Sequence, residues 1–193
     1  MKKMILAFTA TIITAAALHA QTTDATKTDL KQLKSEDKSI KKQEKKDKIT
    51  LRKLEGKDVA YESKQNFITD FNNITDVKWV RGSFYDEASF SKDGQQETAY
   101  YGPDSKLVGT VIQKKFEDLS ADAQKHIKSH YKDYTIDRVV LFDDNEDNDM
   151  DMVMYGNQFD DQDNYFVELT KDAKTIVLQV AMNGETGYFT KIR

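Results

Sequence analysis

An α+β fold is what this sequence predicts: tandem helix-plus-four-strand units forming an antiparallel sheet with helices on one face, preceded by a helical or disordered N-terminal segment. Three observations predict it. Phe84, Asp86, Ala88 and Phe90 alternate with Tyr85, Glu87 and Ser89, the period of a strand with one mostly apolar and one mostly polar face. Asp93-Gly94 and Asn183-Gly184 stand between such runs, and both dipeptides supply the backbone angles that tight hairpins need. The order helix-then-strands occurs twice, a repeat of about 60–70 residues in element order and not in residue identity. Strands that follow a helix and connect by tight turns point to α+β and not to a parallel sheet.

In chain order, residues 1–20 read as a signal peptide. Lys2 and Lys3 precede an apolar run from Met4 to Leu18, and Leu18-His19-Ala20 before Gln21 fits a peptidase site. Residues 21–57 are a charged, Lys-rich linker or helix with 12 Lys and Arg against 7 Asp and Glu, a net of +5. Leu30, Leu33, Ile40, Leu51 and Leu54 fall on a heptad-like seam, but Asp37, Glu44 and Asp47 interrupt it, so a solvated tether is expected instead of a coiled coil. Residues 58–193 are expected to form one domain of two units, about 58–117 and 118–193. They carry 15 Lys and Arg against 26 Asp and Glu, a net of −11. An acidic surface of that kind excludes nucleic acid as a partner.

The first unit opens with a helix over Lys57–Ile74, whose Ala60, Phe67, Phe71 and Ile74 share a side. Four strands follow in a meander from Asp76 to Gln113, with turns at Asp93-Gly94 and at Gly102-Pro103-Asp104-Ser105. Trp79 is expected in the core beneath that helix. The second unit opens with a helix over Leu119–Tyr131, with Ser120 as its N-cap and Ala123, Ile127 and Tyr131 as its buried stripe. Strands are expected at Thr135–Phe142, Met150–Tyr155, Asn164–Leu169, Thr175–Met182 and Gly187–Ile192. The helices cover one face of the shared sheet, and the other face is expected to be open to solvent.

No catalytic set emerges. The chain lacks cysteine, so disulfides, thiol chemistry and lipid attachment at cysteine are excluded. It has no GxSxG elbow and no glycine-rich phosphate loop. His126 and His130 share a helix side at four-residue spacing, without an HExxH pattern or a third ligand suggested by spacing. Nine carboxylates between Asp143 and Asp163 are uninterrupted by any Lys or Arg. Asp147, Asp149 and Asp151 are the candidate calcium ligands there, although the EF-hand spacing is missing. The bland reading of that stretch is an acidic loop that keeps the protein soluble. Asn73-Ile74-Thr75 matches a glycosylation sequon, which matters only in a eukaryotic secretory route.

Asp76-Val77-Lys78-Trp79, Phe84 to Phe90, Asp93-Gly94, Ala99-Tyr100-Tyr101 and Leu107-Val108-Gly109-Thr110 together resemble the β-lactamase-inhibitor-like (BLIP-like), PepSY-like domain family of exported bacterial proteins. Tyr131 to Ile136 and Asn164 to Leu169 carry the same likeness, over about residues 58–193 in all. Leu119-Ser120 departs from the Leu-Pro pair common in such domains. The resemblance implies a periplasmic or secreted protein and no enzymatic activity. It also implies contact with another protein, and the expected reading is a non-enzymatic binding module that receives a protein or peptide on the open sheet face. Alternation places Tyr85, Glu87, Thr98 and Tyr100 on that face as candidate partner-binding residues. The alternative is a calcium- or metal-binding envelope protein using the acidic segment 143–163. No cofactor and no membrane span in the mature chain are expected.

Overall fold

The computed structural model describes residues 31–36, 39–40, 42–43, 46–47, 50, 54, 56–72 and 74–192. The expected signal peptide, Leu30, Leu51 and the sequon residue Asn73 lie outside the described residues. The chain divides into two compact units, residues 1–46 and 47–193. In the first, every described position is helical and exposed, Leu33 and Ile40 included.

The second unit holds helix α1 (Tyr61–Phe71), strands β1 (Lys78–Arg81), β2 (Asp86–Lys92), β3 (Gln95–Tyr101) and β4 (Leu107–Lys114), a 3₁₀ turn at Phe116–Asp118, helix α2 (Ala121–His130), and strands β5 (Thr135–Asp144), β6 (Val153–Met154), β7 (Asn157–Gln158), β8 (Asn164–Lys171), β9 (Lys174–Ala181) and β10 (Thr186–Lys191). Eight strands form one sheet in the order β1-β2-β3-β4-β5-β8-β9-β10, and every neighbouring pair is antiparallel. Each helix is thus followed by four strands of the sheet, and the two sets join where β4 pairs with β5. The expected α+β architecture is the observed one.

Cross-strand partners share a face, so the register assigns the sides. Ala88 opposes Ala99, and Val167 opposes both Val139 and Leu178; these residues face the helices. Phe67 of α1 packs with Ala88, Phe90, Ala99 and Tyr101, and its ring meets Trp79 edge-on at 5.5 Å. Trp79 is half-buried and packs against this cluster beneath α1. Ala123 and Ile127 of α2 pack with Val139, Val167, Leu169, Leu178 and Val180.

The two helices are capped by different means. Ser120 caps α2 locally, its hydroxyl accepting from the Ala123 amide at 3.3 Å. Gly184, in the β9–β10 turn, lies against that cap: a side-chain carbon there would stand 2.6 Å from Ser120 Oγ. Helix α1 starts after Ala60, which has no side chain to offer, and begins at Tyr61 instead of Lys57. Asp86 of β2 supplies the missing acceptor, with Oδ2 3.1 Å from the Ala60 amide and 2.9 Å from Ser63 Oγ. Arg81 pairs with the same buried carboxylate at 3.3 Å.

Two expectations fail in one place. Met150–Tyr155 is not a strand of the main sheet. Val153–Met154 pairs instead with Asn157–Gln158 in a separate ribbon, because Tyr155 and Gly156 both take positive φ and turn the chain tightly. The second sheet face is also not simply open. Residues 145–163, here called the strap, leave β5, cross that face and return to β8. Met152, Met154 and Phe159 of the strap are buried against Val111, Val140, Phe142, Phe166 and Val177. Those sheet residues are apolar on a side expected to be wet, and burying them against the strap removes that surface from water.

Candidate aromatic cleft

Between the strap and the sheet lies a cavity of about 230 Å³. Its floor comes from β2 and β3. Glu87 opposes Tyr100 in the register, so both project to the strap side. A tight turn, with the Gly82 amide donating to the Tyr85 carbonyl at 2.8 Å, brings Phe84 and Tyr85 to the rim. Gly82 also gives the Glu87 carboxylate room, since a side-chain carbon at that position would stand 2.5 Å from Glu87 Oε1.

The strap is pinned to this floor by one phenol. Tyr85 donates to the Asp151 carbonyl at 3.4 Å and accepts from the Val153 amide at 3.0 Å. Tyr155 closes the far side, its hydroxyl donating to Glu168 Oε1 at 2.8 Å. Arg138 lines the cleft too, with its guanidinium 3.6 Å from Glu168 and its Nε donating to Gln113 at 3.3 Å. Tyr85 and Tyr100 meet edge to face at 5.7 Å.

Burial pushes the Tyr85 phenol up to about 12, and the nearby Asp151 charge adds to the rise. Tyr100 is likewise pushed up to about 12, by burial first and then by the Glu87 charge. Both phenols stay protonated at neutral pH, so neither serves there as an anionic nucleophile or base.

Three of the four expected contact residues, Tyr85, Glu87 and Tyr100, line this one cleft. Thr98 lies on the same face but outside it, hydrogen-bonded to Ser89 at 3.1 Å. Tyr85 departs from the expected exposure: it is only 4% exposed, because the strap covers it. Phe84, Arg138, Met152 and Tyr155 belong to the cleft and were not foreseen as contact residues. Their signal was present in part, since Met152, Met154 and Phe159 are apolar residues inside an otherwise acidic stretch.

Asp147 and Asp149 are exposed, whereas Asp151 Oδ2 accepts from Gln158 at 2.5 Å. Among the described residues no group of three His, Cys, Asp or Glu side chains is placed to hold a metal ion. His126 and His130 stack at 4.2 Å on an accessible helix side, with His130 Nδ1 3.0 Å from the His126 carbonyl oxygen. The carboxylates that do meet stand at the neck of the strap. Asp144 ends β5, and its amide donates to Asp163 Oδ1 at 2.8 Å. Burial, then a hydrogen bond with Asp161, then the charges of Asp161 and Asp163 push the Asp144 carboxyl up to about 7.

No family model and no curated protein matches the sequence. Solved structures do match. A BLIP-like protein from Bacteroides fragilis aligns at a TM-score of 0.52 and 16% identity, over 69% of this chain and 85% of that one. The fold is BLIP-like. A DUF2874 family protein from Bacteroides ovatus aligns at 0.54 and 14% identity, over 69% and 89% of the two chains. A Bacteroides eggerthii protein provisionally described as periplasmic aligns at 0.55 and 11% identity, over 69% and 91%. Identities this low establish the shared BLIP-like architecture and leave function to the site. Among the described residues no helix is long and apolar enough to cross a membrane.

Proposed function

We propose that this chain is a non-enzymatic binding module of the periplasm or the extracellular medium, and that it receives a protein or peptide at the aromatic cleft. One observation carries the reading. The strap and the sheet bring Tyr85, Glu87 and Tyr100 into a single cavity, together with Phe84, Met152 and Tyr155. Large rings with polar tips and pliable thioethers are the side chains that contact surfaces favour. The protonated phenols fit a binding role better than an acid–base one. The BLIP-like fold and the provisional periplasmic description of one structural neighbour support the setting and the kind of partner.

The test is photo-crosslinking in the cell envelope, with a benzophenone side chain at Phe84 and, as a control, at Tyr61 on the exposed side of α1. Discrete adducts at Phe84 that are absent at Tyr61 are expected. The same adduct pattern from both positions would reject the cleft as the contact surface.

A further inference from the structure

The strap is held down in large part by thioethers. Of the six methionines of the chain, Met1 and Met4 fall in the expected signal peptide, and three of the other four, Met150, Met152 and Met154, alternate along the strap. With no cysteine in the chain, thioethers are its only sulfur and the atoms a mild oxidant would attack first. Met152 is 1% exposed and Met154 is 9% exposed, both in the cluster of Val111, Val140, Phe142 and Phe166. Met150 packs against the same cluster but is only half-buried. Met182, in the β9–β10 turn, is exposed and belongs to none of the three core clusters.

Met150 sits at a joint. Before it the strap is fixed by hydrogen bonds: the side-chain amides of Asn145 and Asn148 donate to the Leu107 carbonyl at 2.8 and 2.7 Å, and the Met150 amide donates to Asn148 Oδ1 at 3.0 Å. After it the Tyr85 phenol holds the Asp151 carbonyl and the Val153 amide, and buried side chains hold the rest. The Met150 thioether itself lies over Gly102, in the β3–β4 turn. A side-chain carbon at Gly102 would stand 2.9 Å from Met150 Cε and 3.0 Å from its Sδ, so the thioether fills the space that another residue's side chain would take. An oxygen added to that sulfur has no room on the glycine side. It is also a polar acceptor, and an apolar seat leaves it without a donor. The sulfoxide is driven out of the seat toward water, and the strap moves with it.

We propose that Met150 is an oxidant-sensing position, whose conversion to the sulfoxide by a peroxide unseats the strap and opens the aromatic cleft. The inference rests on the binding-module reading and adds a control over its site. The sulfur lone pair attacks one peroxide oxygen, an S–O bond forms and the O–O bond breaks. The departing hydroxide takes the proton of the transferred oxygen and leaves as water. Sulfur is oxidised by two electrons and the peroxide is reduced by two. Met182 takes up oxygen without effect on the strap, because it covers none of the sheet residues beneath it. Met152 and Met154 are reached only after the strap has lifted.

The full chain is treated with hydrogen peroxide, with oxidation followed by peptide mass spectrometry and strap opening by amide exchange. The expected order of oxidation is Met182, then Met150, then Met152 and Met154 together. Once Met150 is oxidised, the Val153 amide, which Tyr85 protects, should exchange about tenfold faster while the β8–β9 ladder keeps its protection. Methionine sulfoxide reductases of both epimer specificities should restore slow exchange. Met150→Leu, close in volume, should oxidise at Met182, keep Val153 protected and keep Met154 reduced. Oxidation of all three strap methionines at one rate, Val153 exchange that does not respond to Met150 oxidation, or lost protection throughout the sheet would overturn the inference. So would a Met150→Leu protein that opens on oxidation as wild type does, or, if that variant does not fold, wild-type exchange that the reductases fail to slow. Photo-crosslinking from Phe84 separates the two readings. Equal adducts in both redox states would remove the control and keep the module. No adducts in either state, alongside the expected exchange response, would remove the module and keep the oxidant-driven opening.

Discussion

The two faces of this sheet are covered by different materials. On one face two helices drop Phe67, Ala123 and Ile127 onto facing strands, and each helix has a cap of its own. On the other face a strap holding only two short strands carries Met152, Met154 and Phe159 inward and is pinned by Tyr85. A helix satisfies its own backbone and brings its apolar stripe already assembled. The strap has few such internal bonds, so what holds it is side-chain burial and a handful of hydrogen bonds to the sheet. The helical layer should therefore fail with the whole domain, and the strap should fail first and alone. The aromatic cleft lies on the side that can adjust.

The largest expected effect breaks the helical side. Phe67 stacks on Phe71 at 4.9 Å and meets Trp79 and Phe90 edge-on, so its removal leaves a hole that its neighbours cannot close. Phe67→Ala should cost about 4 kcal/mol in denaturant unfolding. Phe159→Ala removes an equally buried ring that meets Phe142 at 5.1 Å and Phe166 at 5.0 Å. The strap can settle or lift, and the expected global cost falls to about 2 kcal/mol. Hydrogen exchange should separate the two: amides of 150–158 lose protection in Phe159→Ala while the β8–β9 ladder keeps its own. Uniform loss of protection in both variants would show that the two layers unfold as one.

The helical face was legible because it is written in local signals. The three- and four-residue spacing of α1 and α2, the Ser120 cap, and the alternation through Ala88 and Phe90 each need only a few neighbouring residues to be read. The cap on α1 was not legible, because Asp86 reaches it from 23 positions away from Ser63. The strap hid for a related reason. Met150 to Tyr155 alternates well enough to pass as a strand, and nothing local says which sheet it joins. Its role comes from Met152 and Phe159 meeting Phe142 and Phe166, contacts set by the return of the chain and not by spacing. Tyr85, Glu87 and Tyr100 were legible as a group sharing one face. The cover over Tyr85, which turns that face into a cleft, was not.

A smaller effect sharpens the comparison by titrating the neck of the strap. Asp144 keeps its proton in the folded protein at pH values where an unfolded aspartate has lost it. The folded state therefore binds more protons between the ordinary value of 3.8 and about 7. Stability drawn from this group is complete at low pH and is lost as pH rises through that window. Above it, Asp144 shares the neck with Asp161, Asp163 and Glu146, and their repulsion loosens the two ends of the strap. The melting temperature of wild type relative to Asp144→Asn should fall from pH 4.5 to 7.5, with faster hydrogen exchange in 145–163. A difference that does not change with pH would remove the titration from Asp144.

The smallest effect touches neither cover and supplies the baseline. Lys171 pairs with Lys174, so Asp172 and Ala173 form the two-residue turn between β8 and β9. Their φ values are 49° and 61°, the left-handed region at both central positions. The equivalent turn at Asp93-Gly94 puts glycine second, at φ 79°, where no side-chain carbon crowds the carbonyl. At position 173 an alanine stands in that same place, and its Cβ carries a strain of about 1 kcal/mol. Ala173→Gly relieves this strain, although the freer unfolded chain takes back part of the gain. The net expectation is about 0.5 kcal/mol of added stability in chemical denaturation. Because the turn belongs to neither the Phe67 nor the Phe159 cluster, the gain should be the same in wild type, Phe67→Ala and Phe159→Ala backgrounds. A gain that vanishes in Phe159→Ala alone would mean that the strap helps to set the β8–β9 turn, and that the two covers are less independent than their construction implies.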